Sequence, residues 1–163
     1  MKFCTARVIF GLSLAALIGC GSAQSSGEGT TSATVTAEDP EDVRRNADRI
    51  AYDGQILFDT NSSTLSAESG PLLDHIALFL RNHGDELVQV EVVGHTDETG
   101  APDSNLTLSS ERASSVVAAL QARGVTMALD SRGAGEGETS CTDDTDECHQ
   151  QNRRVEFVIR TPS

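Results

Sequence analysis

Apolar positions along this chain follow three regimes. Residues 8–18, "VIFGLSLAALI", are an apolar run of 11 interrupted only by Ser13, short of the roughly 20 that a bilayer-crossing helix needs. Residues 21–38, "GSAQSSGEGTTSATVTAE", have no apolar period and are rich in small polar residues, which predicts a flexible tether with an end-to-end distance on the order of 25 Å. Regular spacing begins later. "GQILFD" (54–59) predicts a first strand, and "NSSTLSAESG" (61–70) a polar turn. Leu72, Leu73, Ile76, Ala77 and Leu80 then recur at helical spacing up to Gly84. In "ELVQVEVVG" (86–94) Val88, Val90 and Val92 alternate with Gln89 and Glu91, the clearest strand in the chain. Ala113, Val116, Val117 and Leu120 mark a second helix, over 105–123, that stops at Gly124. "LDSRG" (129–133) is a weaker strand, and "NRRVEFVIR" (152–160) is the last, with Val155, Phe157 and Ile159 facing the core. Residues 40–50, "PEDVRRNADRI", suggest a short helix or turn with Asp39 as cap and Pro40 at its first position.

Strands alternating with helices predict an α/β (α+β) layer. The strand at 86–94, the helix at 105–123 and the strand at 129–133 should form a right-handed βαβ unit. The last strand lacks a long crossover helix, so an antiparallel placement is open to it. The expectation is a mixed four-stranded sheet with its helices mainly on one face, occupying residues 51–163.

The N-terminus changes the picture. A positive start with Lys2 and Arg7, the short apolar run, and small residues after it read as a secretory signal peptide over residues 1–19. Leu17, Ile18, Gly19 and Cys20 resemble the lipobox of bacterial lipoproteins, with Cys20 as the lipidated first residue of the mature chain and the tether over 20–50. Gly21 stands where an aspartate would be the usual inner-membrane retention signal of such lipoproteins, which favours the outer membrane. Cys141 and Cys148 are then an even pair in an oxidising compartment. A disulfide between them would be worth about 2–3 kcal/mol. A two-thiol metal site is the alternative, without an evident second pair of ligands.

Once residues 1–19 are removed, 25 acidic residues face ten arginines and no lysine, a net charge of about −15. That balance argues against nucleic acid as a partner. Any cation in a binding site must be an arginine, a fork that suits carboxylates.

The candidate chemistry clusters around Gly94. Asp97 lies just past a strand's C-terminal end and before a helix, where open α/β sheets bind ligands. On the following helix Arg112 sits about 90° from the centre of the apolar stripe, and Asn105 about 20° from Arg112, so both project along one edge. Arg153 is in phase with Val155, Phe157 and Ile159 and should point inward at the rim. Asp97 and Arg112 can form a structural salt bridge. They can also hold a zwitterion, with an ammonium on the acid and a carboxylate gripped by the guanidinium. The residues alone leave both open.

"VVGHTDETG" (92–100), Asn105, "LSSERA" (108–113), "GAGE" (133–136) and "NRRVEF" (152–157), in that order, resemble the OmpA C-terminal-like domain over roughly residues 52–160. The lipobox and tether make the peptidoglycan-associated lipoprotein type the best match. The resemblance implies a βαβαβ(α)β domain that binds peptidoglycan non-covalently through the diaminopimelate of its stem peptide. It places the paired acid and arginine on Asp97 and Arg112, the pocket asparagine on Asn105, the acid after the first strand on Asp59 and the final arginine on Arg153, with Leu108 as pocket wall. Ser104 stands where many relatives have an aromatic residue, which would thin one wall. The resemblance implies a link between outer membrane and cell wall, with no catalysis and no cofactor, and Tol-system or other envelope proteins as further partners. A signalling or assembly role for the same pocket is the alternative. A flagellar stator-like anchor would need a transmembrane helix, which a run of 11 does not supply.

Other chemistry finds little support. His95 lies two residues before Asp97, without a serine or cysteine nucleophile beside them, and reads as a loop residue bonded to backbone. The remaining histidines lack HExxH spacing for catalytic zinc. "CTDDTDEC" (141–148) holds four acids without EF-hand spacing and reads as a solvated loop, with weak calcium attraction as the alternative.

Overall fold

The computed structural model describes residues 38–160. The expected signal peptide, the lipid site at Cys20 and the tether up to residue 37 lie outside them. Five strands form one sheet: β1 (Val43–Asn46), β2 (Arg49–Tyr52), β3 (Gln89–His95), β4 (Ala128–Gly135) and β5 (Val155–Arg160). Its order is β1-β2-β5-β3-β4. Among the described residues three α-helices accompany it: α1 (Gly70–His83), α2 (Pro102–Ala122) and α3 (Asp146–Asn152).

The βαβ expectation holds. β3 and β4 pair in parallel from Gln89↔Ala128 to Gly94↔Gly133, joined by α2. β5 runs antiparallel to β3, with Val92 opposite Phe157. Val90, Val92 and Phe157 are fully buried, and they pack with Leu73, Ile76 and Leu80 of α1 and Ala113, Val116 and Leu120 of α2. Val88 departs from its expected stripe: it precedes β3 and is 58% exposed.

The sheet's other side is ionic. Glu91 pairs with Arg132 at 3.7 Å and with Arg160, while Glu156 pairs with Arg154 at 2.7 Å and with Arg49. Alternation in β3 and β5 sends Val90, Val92, Phe157 and Ile159 toward the helices and Glu91 and Glu156 to the opposite face, where Val93 is also buried.

Two expectations fail, for one reason. The sheet has five strands rather than four, because residues 43–52 form a hairpin in place of the short helix or turn expected over 40–50. β2 then occupies the edge of β5 through Arg49↔Val158 and Ile50↔Phe157. "GQILFD", expected as the first strand, finds no strand slot and makes only an isolated bridge, Phe58↔Leu65. Its backbone is satisfied locally: Ser69 Oγ accepts from the Leu57 amide at 2.7 Å and donates to its carbonyl at 3.0 Å. The hairpin escapes sequence reading because only Val43 and Ile50 of its strands are buried and its turn carries Ala47 at φ 51° rather than glycine.

Gly94 explains why the β-branched run stops. A Cβ there would meet the Ser109 carbonyl oxygen at 2.2 Å, and one on its partner Gly133 would meet Ser109 Oγ at 2.6 Å. The two glycines let the backbone of α2 settle on the strand ends. That contact fixes where the N-terminal half of α2 sits relative to the loop after β3.

Candidate functional site

A cleft of about 620 Å³ opens at the C-terminal end of β3. Its walls come from the loop at 55–61, the loop after β3, α2, and the end of α3. Asp59, Asp97, Asn105, Leu108, Arg112 and Arg153, far apart in sequence, all line it.

Asp97 is 8% exposed. Its Oδ2 accepts from Arg153 Nη1 at 2.5 Å, and its Oδ1 accepts from the Thr99 amide at 3.2 Å. Burial pushes its pKa up, but the Arg153 bond and the Thr99 amide outweigh burial and hold it below the usual carboxylate value. The acid is therefore ionised, and each oxygen keeps a lone pair for a ligand.

Arg112 does not touch Asp97. Its Nε donates to the Ser62 carbonyl at 3.0 Å, and its guanidinium lies 5.1 Å over the Phe58 ring. Burial lowers its pKa, and the field of Asp97 opposes that shift. Among the described residues its two terminal nitrogens make no hydrogen bond. The arginine is thus fixed at Nε while its forked end stays free. The Asp97–Arg112 salt bridge that the sequence left open is not formed; Asp97 pairs with Arg153 instead.

Asn105 lines the cleft and also ties its walls together. Buried, it places Nδ2 2.7 Å from Glu136 Oε2 and 3.3 Å from the carbonyls of Asp97 and Thr99. It pins the loop carrying Asp97 to α2 and to the end of β4. Leu108 is half-buried and Asp59 exposed at the rim.

His95 is the last residue of β3, not a loop residue. Its ring is buried and makes no hydrogen bond among the described residues. Burial, helped by the nearby Arg154 guanidinium, pushes its pKa down to about 4. Its neutral ring is one of the side chains that line the cleft.

The Cys141–Cys148 disulfide is present, with a Cα–Cα distance of 5.4 Å. The loop it closes is not merely solvated. Thr145 caps α3 by accepting from the Cys148 amide at 3.2 Å, and α3 carries His149 and Gln150 into the cleft wall before the chain turns at Arg153. Asn152 Oδ1 accepts from the amides of Ser140 and Cys141, which clamps the base of the loop.

Sequence reasoning missed Phe58, the Ser62 carbonyl, His149 and Gln150. Gln150 Oε1 accepts from Arg153 Nη2 at 2.8 Å and so helps to aim that arginine. The signal that could have found Phe58 and Ser62 is their proximity to Asp59. None was available for residues on α3, because their helix lay inside an acidic excursion without apolar periodicity.

The chain matches the OmpA family over residues 57–154. It is 34% identical over 120 residues to the probable lipoprotein YiaD of Escherichia coli, covering 72% of this chain and 54% of that one. It is 32% identical over 103 residues to the peptidoglycan-associated lipoprotein of Legionella pneumophila, covering 63% of this chain and 57% of that one. The match thus spans little more than half the length of these relatives. Among solved structures, the peptidoglycan-associated lipoprotein from Burkholderia pseudomallei superposes with a TM-score of 0.58 at 27% identity, over 64% of this chain and 88% of that one. The motifs around Gly94, the βαβ unit they sit on and these likenesses agree: this chain belongs to the OmpA family, with a domain of the peptidoglycan-associated lipoprotein type.

Proposed function

We propose that this protein is an outer-membrane lipoprotein that binds peptidoglycan non-covalently through stem-peptide diaminopimelate and links the outer membrane to the cell wall. The observation that carries the reading is the forked end of Arg112, unbonded in a cleft that also holds an ionised acid. A diaminopimelate terminus bears an ammonium and a carboxylate on one carbon. Arg112 takes the carboxylate by two parallel hydrogen bonds. Asp97 takes the ammonium on its remaining lone pairs. Arg153 is a positioning residue that keeps Asp97 charged and aimed, and Asn105 positions the loop. Phe58 and Leu108 supply apolar wall for the methylene stem. The peptidoglycan-associated relatives support the same partner. Lipidated Cys20 holds the other end in the outer membrane, with the domain in the periplasm.

The test is a pull-down with purified diaminopimelate-type sacculi, comparing wild type with Arg112→Ala, Arg112→Lys and Asp97→Ala. Wild type should sediment with sacculi, and both alanine variants should stay in solution with native circular dichroism. Arg112→Lys should lose most binding, because an ammonium cannot make the paired bonds. Full binding by the lysine variant would rule out the two-pronged grip. No binding by wild type would transfer the cleft to a protein partner.

A further inference from the structure

His75 and His83 each meet a carboxylate at ordinary hydrogen-bond length, Asp42 at 2.8 Å and Asp39 at 2.6 Å. His149 does not. Its Nε2 is buried and makes no hydrogen bond among the described residues, yet two carboxylates face it. Glu98 Oε1 lies 3.7 Å away and Asp144 Oδ1 3.6 Å away. Both exceed hydrogen-bond length. One ring nitrogen carries at most one proton, so it cannot bond both oxygens in line. The three atoms lie within 4.8 Å of one another. A small dication holds such ligands at about 2.0–2.2 Å and can serve all three once the carboxylates draw in.

We propose that Glu98, Asp144 and His149 form a transition-metal site of the zinc class on the rim of the cleft. An imidazole nitrogen with two carboxylate oxygens is a borderline donor set that suits Zn²⁺. Ca²⁺ prefers a larger, all-oxygen shell. The two carboxylates balance the dication's charge. The nearby cation, Arg153, is already engaged by Asp97 and Gln150. The Cys141–Cys148 disulfide and the Thr145 cap hold Asp144 close to His149 before any ion arrives. The Glu98 and Asp144 side chains are 64% and 95% exposed, so both can rotate inward to close the remaining gap.

The three ligands come from two segments: the loop after β3, and the disulfide-closed loop with α3. Glu98 directly follows Asp97, and His149 lines the cleft. A bound ion would tie the two walls together beside the acid. The site itself does not depend on what the cleft binds.

Calorimetric titration of the purified protein with Zn²⁺, and separately with Ca²⁺, tests this. The expected result is one Zn²⁺ per chain and much weaker Ca²⁺ binding. His149→Gln should weaken Zn²⁺ by about tenfold or more, since loss of even an outer-shell partner has that effect. Glu98→Gln and Asp144→Asn should each weaken it, and His75→Gln should bind as wild type does. Co²⁺ should give visible bands that His149→Gln loses. Absence of Zn²⁺ uptake, unchanged affinity in His149→Gln, or Ca²⁺ binding as tight as Zn²⁺ would each overturn the site. If His149→Gln loses its native circular dichroism, the exposed Glu98→Gln decides the question.

Discussion

The interior under the helices and the cleft at the strand ends are built from the same elements but hold together differently. Under α1 and α2 the contacts are non-directional: Phe157, Val92, Leu80 and Leu120 exclude water and need no individual partner. At the strand ends Asp97, Asn105 and Arg112 are each placed by named bonds to Arg153, Glu136 and Ser62. The first region should respond to volume and the second to geometry and charge. Stability and recognition should therefore be separable by mutation.

The sharpest contrast is between Phe157→Ala and Arg112→Ala. The first should cost about 3–5 kcal/mol of stability and leave affinity per folded molecule unchanged. The second should cost about 2–5 kcal/mol of ligand binding but only about 1 kcal/mol of stability, the worth of its bond to Ser62. Urea unfolding paired with sacculus binding reads both. If the two variants lose stability equally, the regions are one cooperative unit and the contrast is wrong.

The disulfide tests whether α3 belongs to the cleft or only to the scaffold. Replacing Cys141 and Cys148 by serine should lower stability by about 2–3 kcal/mol on the chain-entropy view. Binding should also weaken, because α3 carries Gln150 and ends at Arg153. Unchanged binding in the double variant would leave Asn152 and the Thr145 cap as sufficient supports.

A smaller effect should appear with pH. The folded pKa of His95, about 4, lies below its unfolded value of 6.5. The unfolded chain thus binds the extra proton first as pH falls. Stability from the neutral ring is fully present above pH 6.5 and is lost progressively down to pH 4. The protein should be about 2 kcal/mol less stable at pH 5 than at pH 7 through this residue. His95→Asn should flatten that slope in denaturant titrations at the two pH values. Asp97 acts in a separate window: its depressed pKa gives stability that is present above its unfolded value of 3.8 and lost only in stronger acid.

The sequence alone determined the β3–α2–β4 unit, because its apolar spacings are local. Val90 and Val92 alternate, and Ala113, Val116 and Leu120 recur at helical spacing, whatever they pack against. It also delivered Asp97, Asn105 and Arg112 to one end of the sheet, since Gly94 stops a strand and a helix follows. The pairing between them was decided elsewhere. Asp97 bonds Arg153, 56 residues away, because β5 pairs with β3 and brings the end of α3 back over the cleft. β5 in turn has β2 on its other edge, which displaced the expected first strand. Neither choice leaves a local signal. Period and turn chemistry are fixed by neighbours in the chain, whereas the partner of a buried charge is fixed by which strands become neighbours in the sheet, and that depends on the energy of the whole packed layer.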